Sequence, residues 1–157
     1  KANMIKEGNK APDFTTRNQN GDKIKLSDFK GQRVVLYFYP KDDTPGCTKE
    51  ACSFRDADDV FTEKGIKVFG ISTDDEKSHQ KFINKFSLPF DLLADTDKDI
   101  VEKYGVWDEK SMYGKKYMGT LRKTFLIDEN GKIVKIFDKV NVSEHADEVL
   151  EAFNSEE

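Results

Sequence analysis

The sequence predicts an α/β layered domain with a central mixed β-sheet, flanking helices and an N-terminal hairpin. Three observations carry that prediction. Residues 34–39 (Val-Val-Leu-Tyr-Phe-Tyr) form an unbroken apolar, aromatic and β-branched run. Strand-like and helix-like segments alternate after it, and the chain closes with a hairpin and an amphipathic helix. A run apolar at every position suits a strand covered on both faces, and β–α alternation suits a layered sheet.

At 157 residues the chain is long enough for one domain with a real core and short for two, so residues 1–157 are read as a single domain. The triplet Lys1-Ala2-Asn3 ahead of Met4 reads as a tag remnant or a short extension. Residues 13–26 read as a hairpin turning at Asn20-Gly21. A helix over about residues 45–64 has Thr44 as N-cap, Pro45 at the first helical position and Gly65 as its stop. Residues 67–72 read as a second buried strand, about 75–86 as a helix with Phe82, Ile83 and Phe86 on one face, and 90–93 as a short third strand. A short helix over 97–104 follows, then a hairpin of 124–127 with 132–137 through Asp128-Glu129-Asn130-Gly131. The last helix turns Val149, Leu150 and Phe153 inward.

Charged residues make up 36% of the chain and hydrophobic residues 36%, with 12 Phe and 5 Tyr for the interior. The net charge of −4 comes from interspersed acids and bases, so no basic stripe offers itself to nucleic acid. The longest apolar run is too short to span a bilayer, and the N-terminus lacks a secretory apolar core. A soluble cytoplasmic protein without a membrane partner is expected.

The two cysteines, Cys47 and Cys52, are too few and too close for a secreted disulfide scaffold. In a reducing compartment such a pair points to redox chemistry or metal binding. Cys47 falls in the first turn of the predicted helix, where backbone N–H groups lack intrahelical partners and the macrodipole is positive. A thiolate is favoured in such a place. The Thr-x-x-Cys spacing also puts the Thr44 hydroxyl near the sulfur if Thr44 caps the third position. Packing offers a plainer account, since Cys47, Ala51, Phe54 and Phe61 share one helical stripe. Its place directly after a strand weighs toward a ligand site, because such sites gather at the carboxyl ends of strands. Cys52 lies about 140° round the helix, with Arg55, Asp56 and Asp59. A cysteine on a polar face contributes little to packing and asks for a chemical explanation. Two helical positions five apart have Cα atoms roughly 8.5–9 Å apart, beyond the roughly 7 Å limit for a disulfide. If the two bond, the first turns of the helix unwind.

The segment Pro40-Lys-Asp-Asp-Thr44-Pro-Gly-Cys47-Thr-Lys-Glu50-Ala-Cys52 resembles the active-site segment of peroxiredoxins, in the form found in the bacterioferritin comigratory protein/PrxQ branch. The likeness continues in Gly8-x-x-Ala-Pro-Asp-Phe14, in Tyr113-Gly-Lys-Lys-Tyr-Met-Gly119 and in Arg122-Lys-Thr-Phe-Leu-Ile-Asp128. The resemblance implies a thioredoxin-like fold and reduction of hydrogen peroxide and organic hydroperoxides to water or alcohols. It implies Cys47 as the peroxidatic cysteine, oxidised to a sulfenic acid, and Cys52 as the resolving cysteine that forms an intrachain disulfide. Recycling by thioredoxin or a similar dithiol reductant is implied too. Thr44 would bond the sulfur and peroxide, Arg122 would stabilise both, Pro40 would shield the pocket and Glu50 would orient Arg122. A monomer or weak homodimer is expected.

From the sequence alone Arg122 is an ordinary surface charge and Glu50 an ordinary first-turn acid. His79 and His145 fit no familiar metal spacing, so no metal or other cofactor is expected. Residues 110–117 read as a solvated loop, with docking of the reductant as the functional alternative. Two other readings of the chain remain: a thiol–disulfide exchange protein, against which the absence of Cys-x-x-Cys at the helix head counts, and a non-enzymatic redox sensor.

Overall fold

The computed structural model describes residues 5–155, so the reading of residues 1–3 lies outside the described residues. In chain order the elements are β1 (Thr15–Asn18), β2 (Lys23–Lys25), a 3-10 turn (Leu26–Phe29), β3 (Arg33–Phe38), α1 (Pro45–Asp56), α2 (Asp58–Glu63) and β4 (Ile66–Ser72). Then follow α3 (Glu76–Phe86), β5 (Asp91–Ala94), α4 (Asp99–Lys103), β6 (Trp107–Met112), β7 (Lys115–Thr120), β8 (Lys123–Ile127), β9 (Ile133–Phe137) and α5 (His145–Ser155). No helix among the described residues is long and apolar enough to cross a membrane.

One mixed sheet runs in the order β2-β1-β5-β4-β3-β8-β9. β3 is central, parallel to β4 and antiparallel to β8. Its unbroken apolar run is explained by cover on both faces. Val35, Tyr37 and Tyr39 face the layer that contains α1, α3 and α5, and Val34, Leu36 and Phe38 face the layer that contains α4. Successive strand side chains point to opposite faces, so a doubly covered strand needs apolar residues at every position.

Two local expectations are corrected. The helix expected over 45–64 is two helices, broken at Ala57 (φ −104°, ψ 10°), with Asp58 and Asp59 in the first turn of the second. Phe54 and Phe61, on either side of the break, both enter the core. The first hairpin forms where it is expected, β1 pairing with β2 through the turn that holds Asn20 and Gly21. Gly21 donates to the Asn18 carbonyl, Gly21 alone has positive φ, and the Asn18 side chain accepts from the N–H groups of Asn20 and Asp22. The segment expected as a solvated loop is part of a two-stranded ribbon, β6–β7, outside the main sheet. Its turn places Tyr113 (φ 52°) and Gly114 (φ 78°) in the left-handed region. A tyrosine is an unusual first residue for such a turn, which is why the hairpin signal is weak in the sequence.

Candidate active site

The C-terminal end of β3 leads through residues 40–44 to the head of α1. β8 runs antiparallel beside β3, with Lys123 opposite Phe38, so Arg122, just before β8, comes to that same end. Residues far apart in the chain thus meet at the carboxyl ends of the parallel strands.

Cys47 is buried, the third residue of α1, and carries a free thiol. Arg122 Nη2 lies 3.4 Å from its Sγ and donates to it. Arg122 Nη1 donates to Glu50 Oε1 at 2.6 Å. Gly46 makes this close approach possible: a Cβ there would stand 3.2 Å from Arg122 Nη2. Sequence reasoning alone left Arg122 on the surface, and only the family resemblance placed it here.

Glu50 is fully buried, and its second oxygen, Oε2, has no hydrogen-bond partner. Burial pushes its pKa up to about 7, against the opposing pull of Arg122. Burial disfavours the charge of Arg122, but Glu50 and Cys47 more than offset it and leave its pKa raised. A buried carboxylate with one unmatched oxygen detracts from stability, so this one is explained by what it does to Arg122 rather than by packing.

Thr44 occupies the N-cap position with extended backbone, as expected, but its hydroxyl does not cap the helix. It donates to the Lys41 carbonyl at 2.9 Å. The Gly46 and Cys47 N–H groups therefore receive no side-chain cap, and the Thr44 oxygen keeps its lone pairs for another donor. Pro40 is half-buried directly after β3. Cys52, also free, is half-buried rather than exposed. Arg55, three residues on, bonds through Nη1 to the Phe86 carbonyl and so ties that side of α1 to the end of α3.

A support beneath the loop escaped the sequence reading. Asp42 Oδ1 accepts from the Tyr39 hydroxyl at 2.6 Å, and Oδ2 accepts from Ser78 Oγ at 2.7 Å and faces His79 Nδ1 at 2.8 Å. The Asp42 N–H donates to Asp74, and His79 Nε2 faces the Leu93 carbonyl at 2.9 Å. The only local hint was a histidine on an otherwise amphipathic helix. His145 is likewise buried, between Glu148 and Thr124, and burial lowers its pKa.

Comparison with known proteins places the chain in a family. The AhpC/TSA family matches residues 7–136. The chain is 52% identical to the putative peroxiredoxin bcp of Coxiella burnetii over 146 residues, 93% of this chain and 97% of the relative. It is 48% identical to peroxiredoxin Bcp of Bacillus subtilis over 147 residues, 94% of each. Among solved structures it resembles a mutant of Xanthomonas campestris peroxiredoxin Q (TM-score 0.86, 38% identity, 92% of each chain) and a mutant of Xylella fastidiosa PrxQ (TM-score 0.92, 33% identity, 99% of each). Their layered architecture is the thioredoxin-like one expected from the sequence. The chain belongs to the AhpC/TSA family, as a peroxiredoxin of the Bcp/PrxQ type.

Proposed function

We propose that this peroxiredoxin acts as a single domain in which Cys47 attacks hydroperoxides and Cys52 resolves the product. The observation that carries the reading is the Arg122 guanidinium, 3.4 Å from Cys47 Sγ and held by buried Glu50. The Cys47 thiolate attacks one oxygen of the peroxide, the O–O bond breaks, and the second oxygen leaves as water or alcohol once protonated. Cys47 is left as a sulfenic acid. Charge moves from sulfur to the departing oxygen, so donors aimed at the stretching bond lower the barrier. Arg122 and the uncapped N–H of Cys47 can donate, and Thr44 Oγ1, its proton given to Lys41, can accept from the peroxide O–H. Pro40 shields the pocket.

Cys52 then attacks the sulfenic sulfur, forming a disulfide and releasing water. Both cysteines lie within the unbroken α1, so the disulfide requires its first turns to unwind. A dithiol protein such as thioredoxin restores both thiols by exchange. The bacterioferritin comigratory protein of X. campestris, 38% identical, has been studied for alkyl peroxide reduction, which supports organic hydroperoxides as substrates beside hydrogen peroxide. We place the enzyme in the cytoplasm as a monomer or weak homodimer.

The test is peroxide consumption with a dithiol reductant. One equivalent of peroxide should remove both thiols together. Cys47→Ser should abolish turnover, and turnover that survives it overturns the assignment. Cys52→Ser should keep the first peroxide reaction and lose recycling. Insulin reduction without peroxide consumption would favour an exchange protein, and stoichiometric oxidation without turnover a sensor.

A further inference from the structure

We propose that His145 is a positioning residue of the peroxide site, a buried strut that holds the strand leading from Arg122 against the helix that carries Glu50. The inference deepens the peroxidase reading and rests on it. His145 opens α5, and its side chain is fully buried. Nε2 lies 2.8 Å from Thr124 Oγ1 on β8, and Nδ1 lies 2.7 Å from Glu148 Oε1 on its own helix. The ring meets Phe54 of α1 edge to face, with 5.6 Å between centroids, and Phe137 of β9 in the same manner at 5.1 Å. The next residue extends the tie, since the Ala146 N–H donates to Ser53 Oγ on α1 at 2.9 Å. The head of α5 is thus bonded to β8 and to α1 at once.

Those contacts sit one step from the Arg122–Glu50 pair. Thr124 is two residues after Arg122, and alternate residues of a strand share a face. That face is the α1 side, because Leu126, two residues further, packs in the core layer that contains α1. Phe54 is four residues after Glu50, one turn along the same face of α1. The two segments therefore meet twice: at Arg122–Glu50, 2.6 Å apart, and one strand step and one helical turn away, through His145 between Thr124 and Phe54. A single contact leaves the guanidinium free to rock about it, and a second fastening at a distance removes that freedom. Packing alone asks for no imidazole here. A leucine would fill the space between Phe54 and Phe137 without two polar atoms to satisfy, whereas directed contacts from both ring nitrogens fix orientation. Ser53 and Phe54 lie just beyond Cys52, so the strut need not break when the first turns of α1 unwind.

The test separates the tie between elements from the fold itself. An asparagine amide reaches as far as Nδ1 does, and a glutamine amide as far as Nε2. His145→Asn therefore keeps the Glu148 contact and loses Thr124, whereas His145→Gln keeps Thr124 and loses Glu148. Thr124→Val removes the cross-element contact from the other side with little change in volume. Two rates are read on the folded, reduced proteins: alkylation of Cys47 by an uncharged reagent at neutral pH, located by mass spectrometry, and reaction with peroxide. His145→Asn and Thr124→Val should slow peroxide reduction about 5–20-fold and Cys47 alkylation about 2–5-fold, because a displaced Arg122 serves both less well. His145→Gln should restore most of both. In an Arg122→Lys background, His145→Asn should cost less than about twofold more, since the group it positions is already gone. Lower stability with unchanged rates, equal losses in the Asn and Gln variants, or a loss that multiplies in full with Arg122→Lys overturns the proposal. If alkylation follows the expected pattern while unmutated Cys47 does not react with peroxide, the strut stands and the peroxidase reading fails.

Discussion

Glu50 and Arg122 meet at 2.6 Å across a separation of 72 residues, and the other Glu50 oxygen meets nothing. The pair holds the guanidinium against Cys47 while leaving a carboxyl group in an environment that prefers it neutral. Its pKa is about 7 in the fold against 4.5 unperturbed. Below about pH 4.5 the carboxyl is protonated folded and unfolded, and its favourable contribution is full. That contribution is lost as pH rises to about 7, by about 3 kcal/mol for a shift of this size. Glu50→Gln should therefore gain stability relative to the unmutated enzyme across that window, the gap levelling off above it. Denaturant unfolding at several pH values measures the gap, and equal gaps at pH 5 and pH 8 sink the account. The same variant should reduce peroxide more slowly, by about tenfold, because a neutral partner holds the guanidinium less firmly.

The Tyr37 hydroxyl is fully buried on β3 without a hydrogen-bond partner. Burial, with Glu50 and Cys47 nearby, raises its pKa and keeps it a neutral phenol. Tyr37→Phe removes an unmatched polar atom and keeps the stacked contact with Phe54 at 4.7 Å between ring centroids. Stability should rise by about 1–2 kcal/mol in denaturant unfolding. A fall in stability would mean that the hydroxyl has a partner after all.

The loop that carries Pro40 and Thr44 rests on the buried Asp42–His79 contact at 2.8 Å. His79→Leu removes one of three partners of the Asp42 carboxylate, leaving Tyr39 and Ser78, and loss of such a buried hydrogen bond costs about 1–3 kcal/mol. The peroxide rate should fall with it, since the loop sets the direction of α1. A double-mutant cycle with Asp42→Asn checks the coupling, and simple additivity of the two losses would contradict it.

Formation of the Cys47–Cys52 disulfide should raise backbone amide exchange within residues 44–52 while β3 and β4 remain protected. One equivalent of peroxide should produce the change in the unmutated enzyme and not in Cys52→Ser. Unaltered exchange in the oxidised enzyme would rule out unwinding.

Much of the frame was legible in the sequence because it is encoded locally. The apolar run of β3, the proline at the start of α1 and the placement of Cys47 in its first turn each depend on neighbours within a few residues, through side-chain alternation and helix-end chemistry. The break at Ala57 was less visible, since Cys47, Ala51, Phe54 and Phe61 keep one helical spacing straight across it. The β6–β7 ribbon hid behind a turn that begins with tyrosine.

What the sequence by itself determined was an α/β frame with a cysteine at the head of a helix after a buried strand. Only the tertiary structure decided what surrounds that cysteine. Arg122 touches it because β8 runs antiparallel beside β3, and His79 supports its loop from another helix. Strand order and burial set those meetings, and neither is written in the spacing of nearby residues. The protonation balance of the site follows from the same long-range contacts, because a carboxyl such as that of Glu50 titrates according to what packs around it.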